Sequence, residues 1–330
     1  MDDVARRARV SRSLVSLVMR GSSKVSEERR RRVLDAARAL GYSPNAMARG
    51  LASRQSGIIA VLLNDLHNPF FAEIFDGLRL RADADGYQLL LGAGGAKRFT
   101  EQAALDSFFQ FRPDGIVLVS PRLPAAAIAT MARSAPVVVV GRVVKAPGVD
   151  VVVTDEAVGA GLVVGHLTGL GHRRIVHFAG GQGAGAAARR RAFVKEMQRV
   201  GLGERIDVIA GDFTEQSGVE CATTLLRRRS RLPTAIYAAN DLAAIGAIDT
   251  LGKAGHEVPA DISVIGFDNT FFSHLRHVSL TTIDQPRLEM GRLAMSLLTD
   301  RIGGARRAEE VHLVTPTLVV RESTGPPRAI

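Results

Sequence analysis

Apolar residues recur at helical spacing in the first 41 residues of the chain, in three short sets. Ser11 precedes the second set and Ser26 the third, where a hydroxyl can accept a backbone N–H that a helix start leaves unpaired. Gly41 follows the last set, as glycine commonly does at a helix end. The pattern therefore predicts three short helices around one small core. The apolar positions are Val4, Ala5, Ala8 and Val10, then Leu14, Val15 and Val18, then Val33, Leu34, Ala37 and Leu40.

A stretch of nine residues, 44–52, comes next and begins with a proline at a helix-start position. An isolated helix needs about 12 to 15 residues to be stable in water. We therefore expect residues 44–52 to be disordered until a partner holds them.

From Gly57 onward, short apolar runs alternate with amphipathic stretches. Continuous apolar runs of this length indicate parallel strands covered on both faces. A second series begins near Thr154, so the pattern predicts two doubly wound lobes. Ligands of such sheets bind beyond the carboxyl ends of the strands, and we expect a site in the cleft between the lobes. The runs are Ile58–Leu63, Gln88–Leu91, Gly115–Val119 and Pro136–Val140, then Arg174–Phe178, Ile206–Ile209, Ala235–Tyr237 and Ile262–Phe267.

Positive charge is concentrated near the start of the chain. The 330 residues carry a formal net charge of +10, and residues 1–56 hold 13 Lys and Arg against 5 Asp and Glu, whereas the other 274 hold 30 against 28. A polyanion is the natural partner of such a segment, because each neutralised phosphate releases condensed counterions. The alternative is a basic face that is merely solvated.

The composition also disfavours several classes of protein. Cys221 is the single cysteine, which excludes an internal disulfide framework and a multi-cysteine zinc site, and we expect it to be a small core residue. The sequence shows neither an export-signal pattern nor the roughly 18 consecutive apolar residues of a membrane helix, so we expect a cytoplasmic, nucleoid-associated protein. No Ser/His/Asp or Cys/His set stands out among the eight histidines, and we predict no catalytic residue, metal or cofactor.

The first two helices, joined by a tight corner, are typical of a helix-turn-helix whose second helix enters the major groove of DNA. The residues that this helix would project outward are Arg12, Ser13, Ser16 and Leu17. An arginine paired bidentately with guanine is the commonest specific contact, so Arg12 and Ser13 are candidates for base edges. The alternative is a basic three-helix bundle that binds RNA or an acidic protein. Phosphate contacts are predicted for Arg20, Lys24, Ser26, Arg30 and Tyr42.

Four runs make the interpretation specific: Asp3-Val-Ala, Val10-Ser-Arg-Ser-Leu-Val-Ser, Val25-Ser-Glu-Glu and Leu40-Gly-Tyr-Ser-Pro-Asn-Ala-Met-Ala-Arg-Gly-Leu. They resemble the lactose-repressor/galactose-repressor (LacI/GalR) family, and the resemblance extends over essentially the whole chain. It implies that residues 44–52 are the family's hinge helix, which forms on DNA as a pair in the minor groove, with Leu51 as an apolar wedge at a base step. DNA contacts at Ser11, Asn45 and Ala48 are implied as well.

The resemblance implies an α/β fold in three parts. An N-terminal all-α helix-turn-helix domain would span 1–43, and a hinge helix and linker 44–56. The effector-binding core, 57–330, would consist of two doubly wound parallel-sheet lobes of the periplasmic-binding-protein type. The N-lobe would comprise 57–154 plus about 285–313, and the C-lobe about 155–284 plus 314–324. The implied function is that of a homodimeric transcriptional regulator, with a repressor favoured over an activator. It would bind near-palindromic operator DNA and respond to a small polar metabolite such as a sugar or polyol.

Three residues depart from the family pattern. Arg9 stands where the turn between the first two helices usually has glycine, and a left-handed conformation there would cost about 1 kcal/mol. Leu17 replaces an arginine late in the recognition helix, so a thymine methyl group becomes a target for it. Gly141 replaces an acidic residue that many sugar-sensing relatives carry after the Pro136–Val140 strand, so one hydroxyl contact is expected to be missing or to be supplied by another residue.

Polar residues follow several predicted strands, in the runs Asn68-Pro-Phe-Phe-Ala-Glu-Ile, Asn240-Asp241 and Gly266-Phe-Asp-Asn. A sugar-like ligand needs aromatic faces for its C–H surface and charged or amide groups for its hydroxyls. Other roles stay open: one of two adjacent phenylalanines would be core, and Asp268 or, more readily, Asp241 would cap a helix. The resemblance implies that the ligand contacts Phe70, Phe71, Arg189, Phe213, Asn240, Asp268 and Gln285.

Two other functions are compatible with parts of the sequence. The run Gly183-Ala-Gly-Ala-Ala-Ala follows a strand and opens a helix, as the phosphate loop of a dinucleotide-dependent enzyme does. A periplasmic sugar-binding protein would share the two-lobe fold, but it needs an export signal and has no use for a basic helix-turn-helix.

Overall fold

The computed structural model describes residues 1–19, 22–42, 55–95, 98–228, 232–305 and 308–328. The chain divides into two compact units, Met1–Gly57 and Ile58–Ile330.

The N-terminal unit contains the three predicted helices. They are α1 (Asp2–Ala8), α2 (Arg12–Met19) and α3 (Glu27–Ala39). Val4, Val15 and Val33 are buried at their common core. The Ser11 hydroxyl accepts the backbone N–H of Leu14 at 3.2 Å and so caps α2. Ser26 precedes α3 as predicted, but its side chain makes no capping hydrogen bond among the described contacts.

The turn between α1 and α2 adopts a left-handed conformation at Arg9, with φ 53° and ψ 49°. The left-handed conformation expected at this corner is thus confirmed, and it is one that a non-glycine residue adopts at an energetic cost. The Arg32 guanidinium donates to the carbonyl of Ala8 at 2.7 Å. A cation at the carbonyl end of a helix is favourable, and this contact helps to hold the corner in place.

The second unit folds into two lobes, each built on a six-stranded sheet. The strands of the first-lobe sheet are β1 (Ile58–Leu63), β2 (Gln88–Ala93), β3 (Gly115–Val119), β4 (Val137–Val140), β5 (Val149–Thr154) and β11 (Val311–Val314). This sheet is parallel throughout, in the order β11-β5-β4-β3-β1-β2.

Four helices cover the first-lobe sheet: α4 (Pro69–Asp85), α5 (Arg98–Gln110), α6 (Ala125–Ala132) and α11 (Arg287–Ile302). Helices α4 and α11 cross with backbone against backbone. A Cβ at Gly77 would lie 2.1 Å from the Leu288 carbonyl oxygen, and a Cβ at Gly291 would lie 2.1 Å from that of Ile74. Because no side chain fits in either position, each helix uses a glycine to approach the other.

The second-lobe sheet has the order β12-β10-β9-β8-β6-β7 and is parallel except for β12. Short 3₁₀ turns lie at Gly203–Arg205 and Phe271–His274. The strands are β6 (Ile175–Phe178), β7 (Asp207–Ile209), β8 (Ala235–Ala238), β9 (Ser263–Asp268), β10 (Thr281–Asp284) and β12 (Thr317–Val319). The helices are α7 (Glu156–Gly169), α8 (Ala186–Arg199), α9 (Glu215–Leu226) and α10 (Asp241–Lys253).

The chain passes between the lobes three times: from β5 to α7, from β10 to α11, and from β11 to β12. Near the second crossing, the buried Arg287 bonds to the carboxylates of Glu73 on α4 at 2.9 Å and Asp284 at 3.2 Å. The same guanidinium donates to the Asn269 carbonyl oxygen at 2.9 Å. One arginine therefore ties a first-lobe helix to the second lobe.

All eight apolar runs singled out in the sequence are strands. The pattern did not single out β5, β10, β11 or β12. Strand β11 has alternately exposed residues, and β10 and β12 are short and contain threonine, so they lack the continuous apolar signal. Within the described ranges, no helix combines the length and hydropathy that a membrane crossing requires. Cys221 is free and buried, as expected for a core residue.

Candidate functional site

A cavity of about 510 Å³ lies between the two lobes of the second unit, at the carboxyl ends of the strands. Its volume suits a small metabolite. All seven ligand residues predicted from the sequence line it: Phe70, Phe71, Arg189, Phe213, Asn240, Asp268 and Gln285. Sequence reasoning missed other polar and charged lining residues, among them Asn64, Asp65, His67, Ser120, Arg122, Arg142, Thr154, Asp155, Glu156, Asp212 and Thr214.

Arg189 is held in a fixed orientation on the second-lobe wall. Its guanidinium forms a two-pronged pair with Glu156, Nε to Oε2 at 2.9 Å and a terminal nitrogen to Oε1 at 2.8 Å, and donates to the Ala239 carbonyl at 2.5 Å. It also stacks on Phe267, with 3.5 Å from Cζ to the ring centroid. These contacts use three of five N–H donors, so two are not occupied by the described part of the chain.

Burial lowers the pKa of the Arg189 guanidinium, but the interactions with Glu156, Tyr237 and Asp268 together outweigh burial and raise this pKa above its ordinary value. Glu156 is the first residue of α7, where the preceding Asp155 accepts the backbone N–H groups of Ala157 and Val158. No pattern along the sequence indicated the Arg189–Glu156 pair, because it joins residues 33 positions apart on different helices.

The ring of Phe213 packs directly against two glycines, Gly180 and Gly183. A Cβ at Gly183 would lie 2.4 Å from its ring, and one at Gly180 would lie 2.5 Å away. The ring therefore fills the space above the glycine-rich loop that resembles a dinucleotide fingerprint. A pyrophosphate would need that space to approach the backbone.

Asn240 positions the Phe213 loop and caps a helix. Its Nδ2 donates to the Phe213 carbonyl at 2.9 Å, and its Oδ1 accepts the N–H of Ala243 at 2.9 Å. The expectation that Asp241 caps α10 is wrong, because Asp241 is the first residue of the helix and Asn240 precedes it. The buried Asp241 carboxylate instead accepts from Thr270 and Thr282 and holds the turn after β9.

Asp268 ends β9 with a φ of 115°, a conformation that L residues rarely adopt. Burial, together with the nearby Asp241 carboxylate, raises the pKa of Asp268 to about 8. Its Oδ1 accepts the Gln285 amide at 2.6 Å, and Gln285 Oε1 in turn accepts the Thr154 hydroxyl. This hydrogen-bonded chain runs from the end of the first-lobe strand β5 to the second lobe.

Phe70 and Phe71 begin α4, whose start is fixed by Asn68, since its Oδ1 accepts the Phe70 N–H at 3.0 Å. The two rings meet edge to face with centroids 5.2 Å apart. Both are buried in the first-lobe core, and both line the cavity. From the sequence, we expected one of the two to be a core residue. Nearby, the buried Oδ1 of Asn64 accepts no hydrogen bond from the described residues.

Two arginines stand on the first-lobe wall beside Gly141. Gly141 has a φ of 87°, and a Cβ there would lie 2.5 Å from the Ser120 hydroxyl oxygen. No side chain fits this position without displacing Ser120. Arg122 and Arg142 line the cavity on the same wall as Gly141.

The predicted base-reading residues lie on α2 in the N-terminal unit. Arg12 and Ser13 are exposed at the start of the helix, and the Arg12 guanidinium lies 3.7 Å from the exposed Asp2 carboxylate. Ser16 is half-buried. Leu17 is also half-buried and packs against the small core, so less of it is available to a base than its position in the sequence implied.

Some of the predicted phosphate-binding residues are exposed, and others make contacts within the N-terminal unit. Lys24 and Ser26 are exposed, whereas Arg30 donates to the Ser22 carbonyl at 2.6 Å and Tyr42 packs against the core. Arg20, Asn45, Ala48 and Leu51 lie outside the described residues, as does the whole predicted hinge segment. Arg30 therefore has a structural role that its sequence position did not reveal.

Comparisons with known proteins agree for both units. Residues 1–45 match bacterial regulatory proteins of the lacI family, and residues 164–324 match the periplasmic binding protein-like domain. The HTH-type transcriptional repressor CytR of Escherichia coli (strain K12) is 35% identical over 328 residues, which cover 98% of this chain and 96% of that protein.

Two solved structures share the fold. The Lac repressor dimer bound to operator and the anti-inducer ONPF has a TM-score of 0.87 at 29% identity, with 98% of each chain covered. A LacI family transcriptional regulator from Enterococcus faecium with bound ribose has a TM-score of 0.73 at 27% identity, covering 82% of this chain and 99% of that one.

Proposed function

The chain belongs to the lacI family of bacterial regulatory proteins, as its sequence motifs predicted, and from this membership we propose that it is a homodimeric repressor whose affinity for operator DNA is controlled by a small polar metabolite. The hydrogen-bonded chain Thr154–Gln285–Asp268 is the observation that carries the proposal. It joins the two lobes along the wall of the cavity, so a ligand bound there contacts both lobes and can change the angle between them.

The DNA-binding part of the proposal assigns base contacts to Arg12 and Ser13, which are exposed at the start of α2. Two such helices in a symmetric dimer would read half-sites of a near-palindrome about one helical turn apart. The segment 44–52 would form paired hinge helices at the centre, with Leu51 inserted at a base step. Lys24 and Ser26 would contact phosphates.

The ligand-binding part assigns a sugar-like or polyol-like effector to the cavity. Phe213 would stack on its apolar face, and Arg189 would donate its two remaining N–H groups to neighbouring oxygens. Closure of the lobes around the ligand would move the first lobes of the dimer and separate the hinges. The ligand then releases DNA if the open form binds the operator, and strengthens binding if the closed form does.

A binding selection tests the proposal. The purified full chain is mixed with genomic fragments and random duplexes, and the selected fragment is titrated by fluorescence anisotropy. We expect Arg12→Ala to weaken binding to that fragment by about tenfold or more, because a bidentate guanine contact contributes roughly 1 to 3 kcal/mol. Arg38→Ala, which removes an exposed arginine from α3, serves as the matched control. A protein without preference for any genomic fragment contradicts the proposal.

The relatives are repressors, and we propose no catalytic activity for this chain. Within the described residues, no group of three His, Cys, Asp or Glu side chains is arranged to hold a metal ion. Since its target is operator DNA, we propose that the protein acts in the cytoplasm at the nucleoid.

A further inference from the structure

Two polar side chains of the first lobe lie next to each other along the wall of the cavity. Strands β1 and β3 pair in register at Leu63 and Val119. Asn64 and Ser120 are the next residues of the chain after these two, so they lie at neighbouring strand ends. Adjacent strands are about 4.8 Å apart, which allows both side chains to contact the same small molecule. Both residues line the cavity.

Neither side chain is satisfied by the part of the chain that the structure describes. The Asn64 amide forms no hydrogen bond with those residues, and its Oδ1 is fully buried. Ser120 is 7% exposed, and its hydroxyl has no hydrogen-bond partner among the same residues. A buried polar group without a hydrogen bond costs free energy, and native proteins contain few of them. Both groups are therefore available to a molecule in the cavity.

The backbone holds both residues in place. The Ser120 N–H donates to the Val140 carbonyl at 2.7 Å. The Asn64 carbonyl accepts the Gly95 N–H at 2.9 Å. Ser120 has a φ of 52°, in the left-handed region that a non-glycine residue adopts at an energetic cost. Strained conformations of this kind are concentrated at binding and active sites, where the surrounding structure maintains them.

The next strand end in the sheet has no room for a side chain. Val119 pairs with Val140 of β4, so Gly141 lies beside Ser120. A Cβ at Gly141 would lie 2.5 Å from the Ser120 hydroxyl oxygen. The hydroxyl therefore occupies the space that a side chain at position 141 would need. Ser120 supplies a polar contact where Gly141 cannot.

We propose that Asn64 and Ser120 together bind two adjacent hydroxyl groups of the effector, one hydroxyl donating to Asn64 Oδ1 and the next accepting from the Ser120 hydroxyl. A vicinal diol suits this pair because each of its hydroxyls can donate as well as accept. On the opposite wall, Arg189 has two N–H groups without a partner in the described ranges, and these can bond to further oxygens of the same ligand. This inference rests on the proposed function, and it assigns two residues that determine which polar metabolites bind.

Matched sugars test the inference. The full chain is titrated by calorimetry with ribose and 2-deoxyribose, and with glucose and its 2-deoxy, 3-deoxy and 4-deoxy analogues. We expect ribose or glucose to bind about tenfold or more tightly than at least one of its deoxy analogues, because the missing hydroxyl leaves buried polar groups of the site unpaired. Equal affinities throughout, or no binding by ribose and glucose, overturn the assignment of a vicinal diol.

Substitutions connect the preference to the two residues. Ser120→Gly removes the hydroxyl together with the left-handed strain, and Asn64→Leu replaces the amide by an apolar side chain of similar shape. Each should reduce the affinity ratio between the sugar and its deoxy analogue by about fivefold or more. Ser134→Gly and Gln110→Leu change exposed positions of the same lobe outside the cavity lining, and we expect the ratio to stay the same in both.

The melting temperature without ligand separates a binding role from a structural one. Because the Asn64 oxygen is unpaired within the described structure, Asn64→Leu should leave the melting temperature unchanged or raise it. Ser120→Gly should behave likewise, since glycine adopts the left-handed conformation without strain. A lower melting temperature in both variants with an unchanged affinity ratio would show that the two side chains hold the first lobe together, which overturns the inference. If Asn64→Leu does not fold, Ser120→Gly decides the question.

A failure of this inference differs from a failure of the proposed function. If the diol assignment is overturned while the full chain still selects a genomic fragment, the regulator stands and the effector contacts are wrong. If the full chain selects no fragment, the proposed function itself is wrong. A preference for the complete sugar that is lost in Ser120→Gly and in Asn64→Leu supports the inference.

Discussion

Single residues of the cleft serve structure and recognition together, and Arg189 shows this most clearly. The residue is 5% exposed, its guanidinium bonds to Glu156 and Ala239, and two of its N–H groups have no partner among the described residues. A residue with this many internal partners cannot change its position without disturbing the wall. It is therefore a rigid donor, which reduces the entropy lost when a ligand binds.

Arg189→Ala should abolish the effect of the ligand on operator affinity. The half-buried Glu156 carboxylate would lose its partner, and breaking a buried ion pair costs up to about 3 to 5 kcal/mol, so we also expect a lower melting temperature. Operator binding without ligand should change little. Arg191→Ala, at an exposed position of the same helix, is the control. A normal ligand response in a folded Arg189→Ala protein would remove this residue from the site.

Asp268 should make the stability of the protein depend on pH. Its pKa in the folded state, about 8, lies above the ordinary value of 3.8, so the folded protein holds a proton that the unfolded chain has released. The free energy of unfolding therefore falls as the pH rises from about 4 to about 8. Burial and the nearby Asp241 carboxylate raise this pKa, and Arg189, Arg287 and Gln285 oppose the shift.

Asp268→Asn should flatten that pH dependence, because the amide is neutral throughout. Urea denaturation of the full chain at several values between pH 5.5 and 8.5 measures the slope. Asp300→Asn, on the exposed face of α11, should leave the slope as in the unsubstituted protein. Equal slopes for all three proteins would show that Asp268 is not a buried acid.

At the scale of elements, the close crossing of α4 and α11 determines how the first lobe packs. The glycines at 77 and 291 let the backbones touch, and α11 reaches the first lobe only after the chain has returned from the second. The crossing therefore brings together two helices that are far apart in sequence. Its tolerance for added volume should be very low.

Gly291→Ala should destabilise the protein by at least about 1 to 3 kcal/mol, because the new methyl group would overlap the Ile74 carbonyl. Gly165→Ala is the matched control, since it lies within α7 with nothing within 4 Å of the added Cβ. There we expect a gain of about 0.4 to 1 kcal/mol from helix propensity. Urea denaturation followed by circular dichroism compares the two, and similar effects would contradict the crossing.

At the scale of the whole molecule, the asymmetric charge distribution should dominate DNA affinity. If about 6 to 10 phosphates are contacted, affinity should fall by roughly 10³ to 10⁵ between 50 and 200 mM salt. Lys24→Ala should reduce the slope of log affinity against log salt by about 1. Lys145→Ala, at an exposed position of the second unit, should not change it. Affinity that does not vary with salt would refute the electrostatic argument.

The sequence determined the local elements and the family. The three helices follow from periodicity, and the eight strands follow from short apolar runs. The left-handed corner at Arg9 follows from the glycine that the family pattern has at this position. Local signals also predicted polar residues beyond the ends of several strands, and the resemblance to the family supplied the seven predicted ligand residues, all of which line the cavity. Each of these inferences depends on residues that are neighbours along the chain.

The tertiary structure decided how those residues are used. Arg189 pairs with Glu156, and Asn240 forms the helix cap that was expected of Asp241. Arg30 bonds to the Ser22 carbonyl instead of remaining free for a phosphate. Arg122 and Arg142 lie on one wall of the cavity. The numbers of residues between these partners follow neither the helical nor the strand repeat. A contact of this kind exists because the sheet topology brings two strand ends together, and no pattern along the chain records which side chains then meet.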